Sequence, residues 1–212
     1  MKRVITAMFA LSALIAGAFS WLVSLNVTAQ DSPFVGRLFA AAETKYSVTS
    51  FQEGFEIHAE GANSASGLYH LQPRACFQNY PIISWSWRVD IMQKAADIRI
   101  KSREDFAASL HFVFGEPGMF SRPKVLAYAW TATDVPKGTV IKSPRVPENF
   151  RTLILRTDKA PLKTWREQRR NVVKDFEKAY GARPEGRLTA LGVFTDNDQT
   201  REPVESRYRL CG

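Results

Sequence analysis

Two short acidic stretches carry the most chemistry in this 212-residue chain. Asp196–Asn197–Asp198-x-Thr200 follows an apolar run directly, and two carboxylates with an amide oxygen at that spacing can ligate calcium. The rest of a twelve-residue calcium loop is missing, because no glycine stands sixth and no glutamate twelfth. Asp and Asn also close turns by bonding their own backbone, so the pattern assigns no metal. The second stretch, Glu104–Asp105, precedes an apolar run that opens at Phe106, and Asp90 ends another. Carboxylates at strand ends on one rim can act as acid and base on a glycan when they stand about 5 to 9 Å apart. Pairing with Lys101 or Arg103 is the plainer role.

Aromatic and basic residues add further candidates. Trp85, Trp87, Tyr128 and Trp130 invite comparison with sugar-stacking platforms, yet their alternation with small and polar residues places the first two in a core. Trp130 lies near the end of its apolar run, where it can reach a ligand. His58 and His70 fall on the two arms of an expected hairpin, and a metal there would need a third ligand that the pattern does not indicate. His111 lies opposite an aromatic face, open to ligand or to water. Arg170 and Asp175 either wall a polar pocket or pin a helix to the sheet as a buried pair. No Ser/His/Asp order, G-x-S-x-G elbow or C-x-x-C pair is present, and no cofactor is expected.

These groups need strands to hold them. Ile83, Trp85, Trp87 and Val89 alternate with Ser84, Ser86, Arg88 and Asp90, as a half-buried antiparallel strand requires. Phe106, Ala108, Leu110, Phe112 and Phe114 repeat the pattern, with Ala107, Ser109, His111 and Val113 opposite. Further strands fit 125–131, 139–141, 152–156, 188–195 and 205–210, and a hairpin with a long turn fits Phe55 to Gln72. A short helix or docking segment is expected from Asp31 to Lys45, on the spacing of Phe34, Leu38 and Phe39. One amphipathic helix is expected at 165–180, with a Thr164–Glu167 capping box and a left-handed cap at Gly181. Its apolar stripe is Trp165, Val172, Val173, Phe176 and Tyr180. The fold class is therefore all-β: a jelly-roll-like β-sandwich with one helix packed on it.

The order of motifs points further. Trp85–Ser86–Trp87, Glu104–Asp105–Phe106–Ala107–Ala108 and Ala127–Tyr128–Ala129–Trp130 come first. Trp165-x-x-x-Arg169–Arg170–Asn171, Asp175–Phe176, Tyr180–Gly181 and Thr195–Asp196–Asn197–Asp198-x-Thr200 follow. This set resembles the bacterial exported family called domain of unknown function 3047, over nearly the whole chain after residue 29. The family's acidic pair falls at Glu104–Asp105. An arginine usual in the family is replaced by Ser109, so any ligand role of that arginine does not carry over. The resemblance implies an envelope β-sandwich and supplies no reaction.

Composition agrees with an exported globular protein. Hydrophobic residues make up 45% and charged residues 24%, which excludes disordered, collagen-like and coiled-coil chains. Met1–Lys2–Arg3, an apolar run to Leu25 and Val27–Thr28–Ala29 read as a signal peptide of residues 1–29. A single domain then spans 30–212, periplasmic or secreted, with no stable membrane span. Of 29 basic residues, removal of Lys2 and Arg3 leaves 27 against 21 acidic, a net charge of +6. Export makes nucleic acid an unsuitable partner, so the expected partners are a glycan or another envelope polymer. Cys76 and Cys211 can form one long-range disulfide in an oxidising compartment, a closure that chain-entropy models value at about 4 to 5 kcal/mol.

Three functional readings follow. The first is a non-catalytic module holding a glycan or other polar ligand with Trp130, His111, Arg170, Asp175, Asp196 and Asp198. The second is a glycan hydrolase or lyase using Asp105 with a partner carboxylate or Tyr128. The third is an envelope assembly or scaffold protein.

Overall fold

A computed structural model describes residues 34–40, 42–52, 54–71, 81–115 and 122–211. The expected signal peptide and Cys76 lie outside the described residues, as does the side chain of Cys211, and the expected disulfide lies there with them.

Among the described residues, twelve strands form two sheets. They are β1 (Phe34–Leu38), β2 (Lys45–Phe51), β3 (Gly54–Gly61), β4 (Ala65–Leu71), β5 (Ile82–Ile91) and β6 (Ala108–Phe114). After these come β7 (Lys124–Trp130), β8 (Val140–Lys142), β9 (Phe150–Arg156), β10 (Arg166–Asn171), β11 (Leu188–Asp196) and β12 (Val204–Cys211). A seven-stranded sheet runs β1-β4-β11-β6-β7-β9-β8, and a five-stranded sheet runs β10-β5-β12-β3-β2. All neighbours are antiparallel except β7 and β9. The protein is an all-β sandwich carrying one helix, α1 (Val172–Tyr180), among the described residues. No helix among them is long and apolar enough to cross a membrane.

The core is aromatic and lies between the sheets. Trp85, Trp87, Tyr128, Trp130, Phe112 and Tyr208 are buried there. The Trp85 ring meets Trp87 edge-on at 5.6 Å and Tyr128 at 5.1 Å, and Trp87 lies 6.2 Å from Trp130. Burying such side chains is worth roughly 2 to 3 kcal/mol each. The alternation expected for Ile83 to Val89 holds, with all four apolar residues inward.

A second, smaller apolar layer covers the outer face of the seven-stranded sheet. Ala65, Ala129, Ile141, Ile154 and Phe194 meet Ile98 and Phe106 from the β5–β6 connection. Phe106 therefore leaves the face expected for it. It turns toward His111, and the ring centroids are 6.4 Å apart.

Three local expectations are corrected. The segment at 34–38 is an edge strand paired with β4 rather than a helix, because its amides meet β4 in register from Phe34↔His70 to Leu38↔Ser66. The arms of the expected hairpin, β3 and β4, belong to opposite sheets, so His58 and His70 are not cross-strand neighbours. The expected helix 165–180 begins only at Val172. Residues 166–171 pair with β5 instead, with Gln168↔Trp85 and Arg166↔Trp87 in register. Asn171, not Thr164, caps α1, accepting from the Lys174 N–H at 3.0 Å. The other end is as expected: Gly181 takes φ 75°, and its N–H bonds to Glu177 O at 2.8 Å.

Candidate functional site

β11 and the β5–β6 connection meet at one end of the seven-stranded sheet, and there the acidic stretches converge. Asp196 N donates to Phe106 O at 3.2 Å, while Asp196 Oδ1 accepts the Phe106 N–H at 2.6 Å. Asp105, fully buried, accepts from Gln199 N at 3.2 Å and from Thr200 N and Oγ1 at 2.6 Å each. Asn197 braces the turn, accepting from Ser64 N and donating to the carbonyls of Gly61 and Glu202. Gln93 donates to the Asp196 carbonyl, and Gln199 donates its amide to Asp198.

The result is a triad of carboxylates. Asp105, Asp196 and Asp198 each offer an oxygen, and these atoms all lie within 4.8 Å of one another. Two unit charges at that separation repel by about 3.5 kcal/mol at an effective dielectric of roughly 20. Burial first, and then the Asp105 charge, push the Asp196 carboxyl well above the usual carboxylate range. The same two causes raise Asp198. Burial also raises Glu104, against the opposing pull of the Ser143 hydroxyl, which donates at 2.7 Å, and of Arg145, paired at 2.8 Å. Asp196 thus keeps its proton to higher pH than a free aspartate. Such a set can share a proton, or hold a hard cation on oxygen ligands.

Beside the triad, an open depression of about 390 Å³ is lined by Ile100, Lys101, Ser102, Arg145 and Gln199. Gln199 and Arg145 join the two features: one binds Asp198, the other pairs with Glu104.

The other sequence candidates lie apart from this corner. Trp130 is fully buried against Trp87, and its indole donates to Thr157 O at 3.1 Å. Arg170 grips Asp175 with Nε and Nη2, and Tyr128 donates to the same carboxylate at 2.8 Å. Burial and the Asp175 charge raise the Tyr128 hydroxyl, which stays a donor, so this triple contact pins α1 to the sheet. His111 is buried in the outer apolar layer, stacked on Phe194 at 5.1 Å and bonded through Nδ1 to Tyr69 Oη at 2.8 Å. Burial lowers its pKa to about 3, which leaves it neutral.

Sequence reasoning missed Gln93, Arg145 and Gln199, which have no local signature, and offered Lys101 only as an ion-pair partner for Glu104–Asp105. It also missed a second triad, His58–Glu60–Glu205, whose ligand atoms likewise lie within 4.8 Å. Its signal was present in the outward alternation of β3 and β12. Lys45 and Arg207 already pair with its two glutamates, at 3.2 and 3.5 Å.

A search of curated proteins finds no match. Among solved structures, the family 11 xylanase from Neocallimastix patriciarum is similar at 10% identity and a TM-score of 0.37, covering 83% of this chain and 84% of that one. The model of the family described as protein of unknown function DUF3047 matches residues 36–210, and the chain belongs to that family.

Proposed function

We propose that this chain is an exported, non-catalytic β-sandwich module that holds a glycan or other polar ligand in the depression at the Asp105–Asp196–Asp198 corner. The supporting observation is the mixed lining of that depression. Cations from Lys101 and Arg145, an amide from Gln199 and a hydroxyl from Ser102 border the exposed apolar Ile100. Few, directed polar groups around an apolar patch suit a hydroxyl-rich molecule. Export rests on the pattern of residues 1–29.

A hydrolase is the second reading, favoured by the raised pKa of Asp196. Against it, both oxygens of Asp105 are engaged by the 199–200 turn, and Asp196 is almost fully buried. Calorimetric titration of the secreted protein against neutral and acidic oligosaccharides tests the choice. Saturable binding that weakens about tenfold in Arg145→Ala and Gln199→Ala, without release of reducing ends, supports the binding module. Release of reducing ends that disappears in Asp105→Asn would establish the hydrolase. No heat with any sugar sinks both.

A further inference from the structure

A different place in the fold carries unpartnered donors. β10 is an edge strand of the five-stranded sheet, and Arg166, Gln168 and Arg170 occupy alternate positions along it. Their register partners on β5 are Trp87, Trp85 and Ile83, which all face the core. The strand therefore turns polar side chains inward beside the two tryptophans. Arg170 has a partner there, because Asp175 accepts both its nitrogens and the Tyr128 hydroxyl.

Its neighbours have none. Trp85 Nε1, Trp87 Nε1 and Gln168 Nε2 are buried without a hydrogen-bond partner, in residues 3%, 0% and 7% exposed. Arg166 Nε is also buried and unpartnered. Among the described residues Arg166 has no ion pair, and it is half-buried, so it keeps a path to solvent.

A buried donor without an acceptor is rare, and four around one edge-to-face pair of rings call for an occupant. Indole and guanidinium nitrogens donate and cannot accept. A water molecule among them would accept two bonds, and among these side chains only the Gln168 amide oxygen could accept from its own hydrogens. An oxyanion accepts without donating, and the unpaired Arg166 guanidinium supplies the counter-charge. We propose that the inward face of β10, with the Trp85 and Trp87 indole edges, Gln168 and Arg166, binds one oxyanion group of a carboxylate- or phosphate-bearing ligand. The site is separate from the Asp105 corner and does not depend on the role given to that corner.

The test follows the indole N–H resonances of ¹⁵N-labelled full-length protein, assigned with Trp→Phe variants, at low ionic strength. Inorganic phosphate and D-glucuronate are titrated separately. The proposal predicts saturable shifts of the Trp85 and Trp87 resonances and none for Trp165, which lies outside the core. Arg166→Gln should weaken binding about tenfold or more while the thermal midpoint stays put. Arg145→Ala, at the other corner, should leave the binding intact. A response to phosphate alone or to glucuronate alone identifies the ligand class. Resonances that ignore both anions at millimolar concentration would overturn the proposal. So would shifts of equal size in Arg166→Gln, or cross-peaks from both indoles to a long-lived water that anions do not displace.

Discussion

The outward faces of the two sheets treat charge in opposite ways. On the five-stranded sheet, acids and bases interleave. Glu56 meets Arg209 at 2.9 Å, Asp90 meets Arg88 at 2.7 Å, and His58 meets Glu205 at 2.8 Å. Arg88 and Arg209 also lie over the Trp165 ring, at 5.5 and 4.1 Å. The seven-stranded sheet is roofed by its own apolar layer, and polar groups caught beneath it meet one another or the backbone. His111 sits among Phe106, Phe150 and Phe194, and the corner carboxylates rely on amides. Two carboxylate-bearing triads with the same 4.8 Å spread therefore differ in kind. One is neutralised and open to water; the other is buried and short of cations. Distance between ligand atoms says little until the counter-charges are counted.

Truncating Asp105 should show that contrast at its strongest. Asp105→Ala orphans two backbone N–H groups and a hydroxyl at a fully buried position, and should cost about 3 kcal/mol or more in urea unfolding. Glu205→Ala on the open face should cost less than about 1 kcal/mol. Equal costs would dissolve the distinction.

The two histidines sharpen it through pH. His111 titrates at about 3 when folded and near 6.5 when unfolded, so the unfolded chain binds the extra proton between those values. Its contribution is complete above 6.5 and is lost as pH falls toward 3, by up to about 1.4 kcal/mol per unit. Unfolding measured at pH 7 and pH 4.5 should show that loss in the parent and a flatter profile in His111→Phe. An unchanged slope would place His111 in contact with water.

Asp196 works in the opposite sense. Its folded pKa is raised, so stability declines as pH climbs above the unfolded value near 3.9. Asp196→Asn keeps the acceptor for the Phe106 N–H and removes the charge. It should gain about 1 to 2 kcal/mol at neutral pH and nothing near pH 3.5. A loss at neutral pH would mean the charge is needed. The smallest effect belongs to Lys45–Glu60, where a double-mutant cycle should give about 0.5 kcal/mol and less at high salt.

How much of this the chain announces depends on what faces inward. β5 is legible because Trp85 and Trp87 alternate with serines and no other structure suits that pattern. β10 is hidden because its inward residues are Arg166, Gln168 and Arg170, so a period of two shows no apolar face. The helical spacing of Trp165 and Val172 then extends a helix seven residues too far back. The Asp–Asn–Asp turn is visible locally, but its meeting with Asp105 spans more than ninety residues and follows from sheet pairing alone. The alternation of β6 leaves His111 facing ligand or water, since nothing near it in sequence reveals that Ile98 and Phe106 fold over that face. Membership of the DUF3047 family was legible from the order of motifs, and the matched span of 36–210 bears it out.

One feature of the topology bears on how such a chain is made. β11 lies between β4 and β6, and β12 between β3 and β5, so the last two strands are interior staves of both sheets. A polypeptide emerging amino end first can complete neither layer until residues 188–211 are free. Until then β3, β4, β5 and β6 each carry an open ladder that other chains can join. A truncation just before Leu188 would leave two half-barred gates rather than a smaller protein, and such a fragment should be captured by chaperones or aggregate.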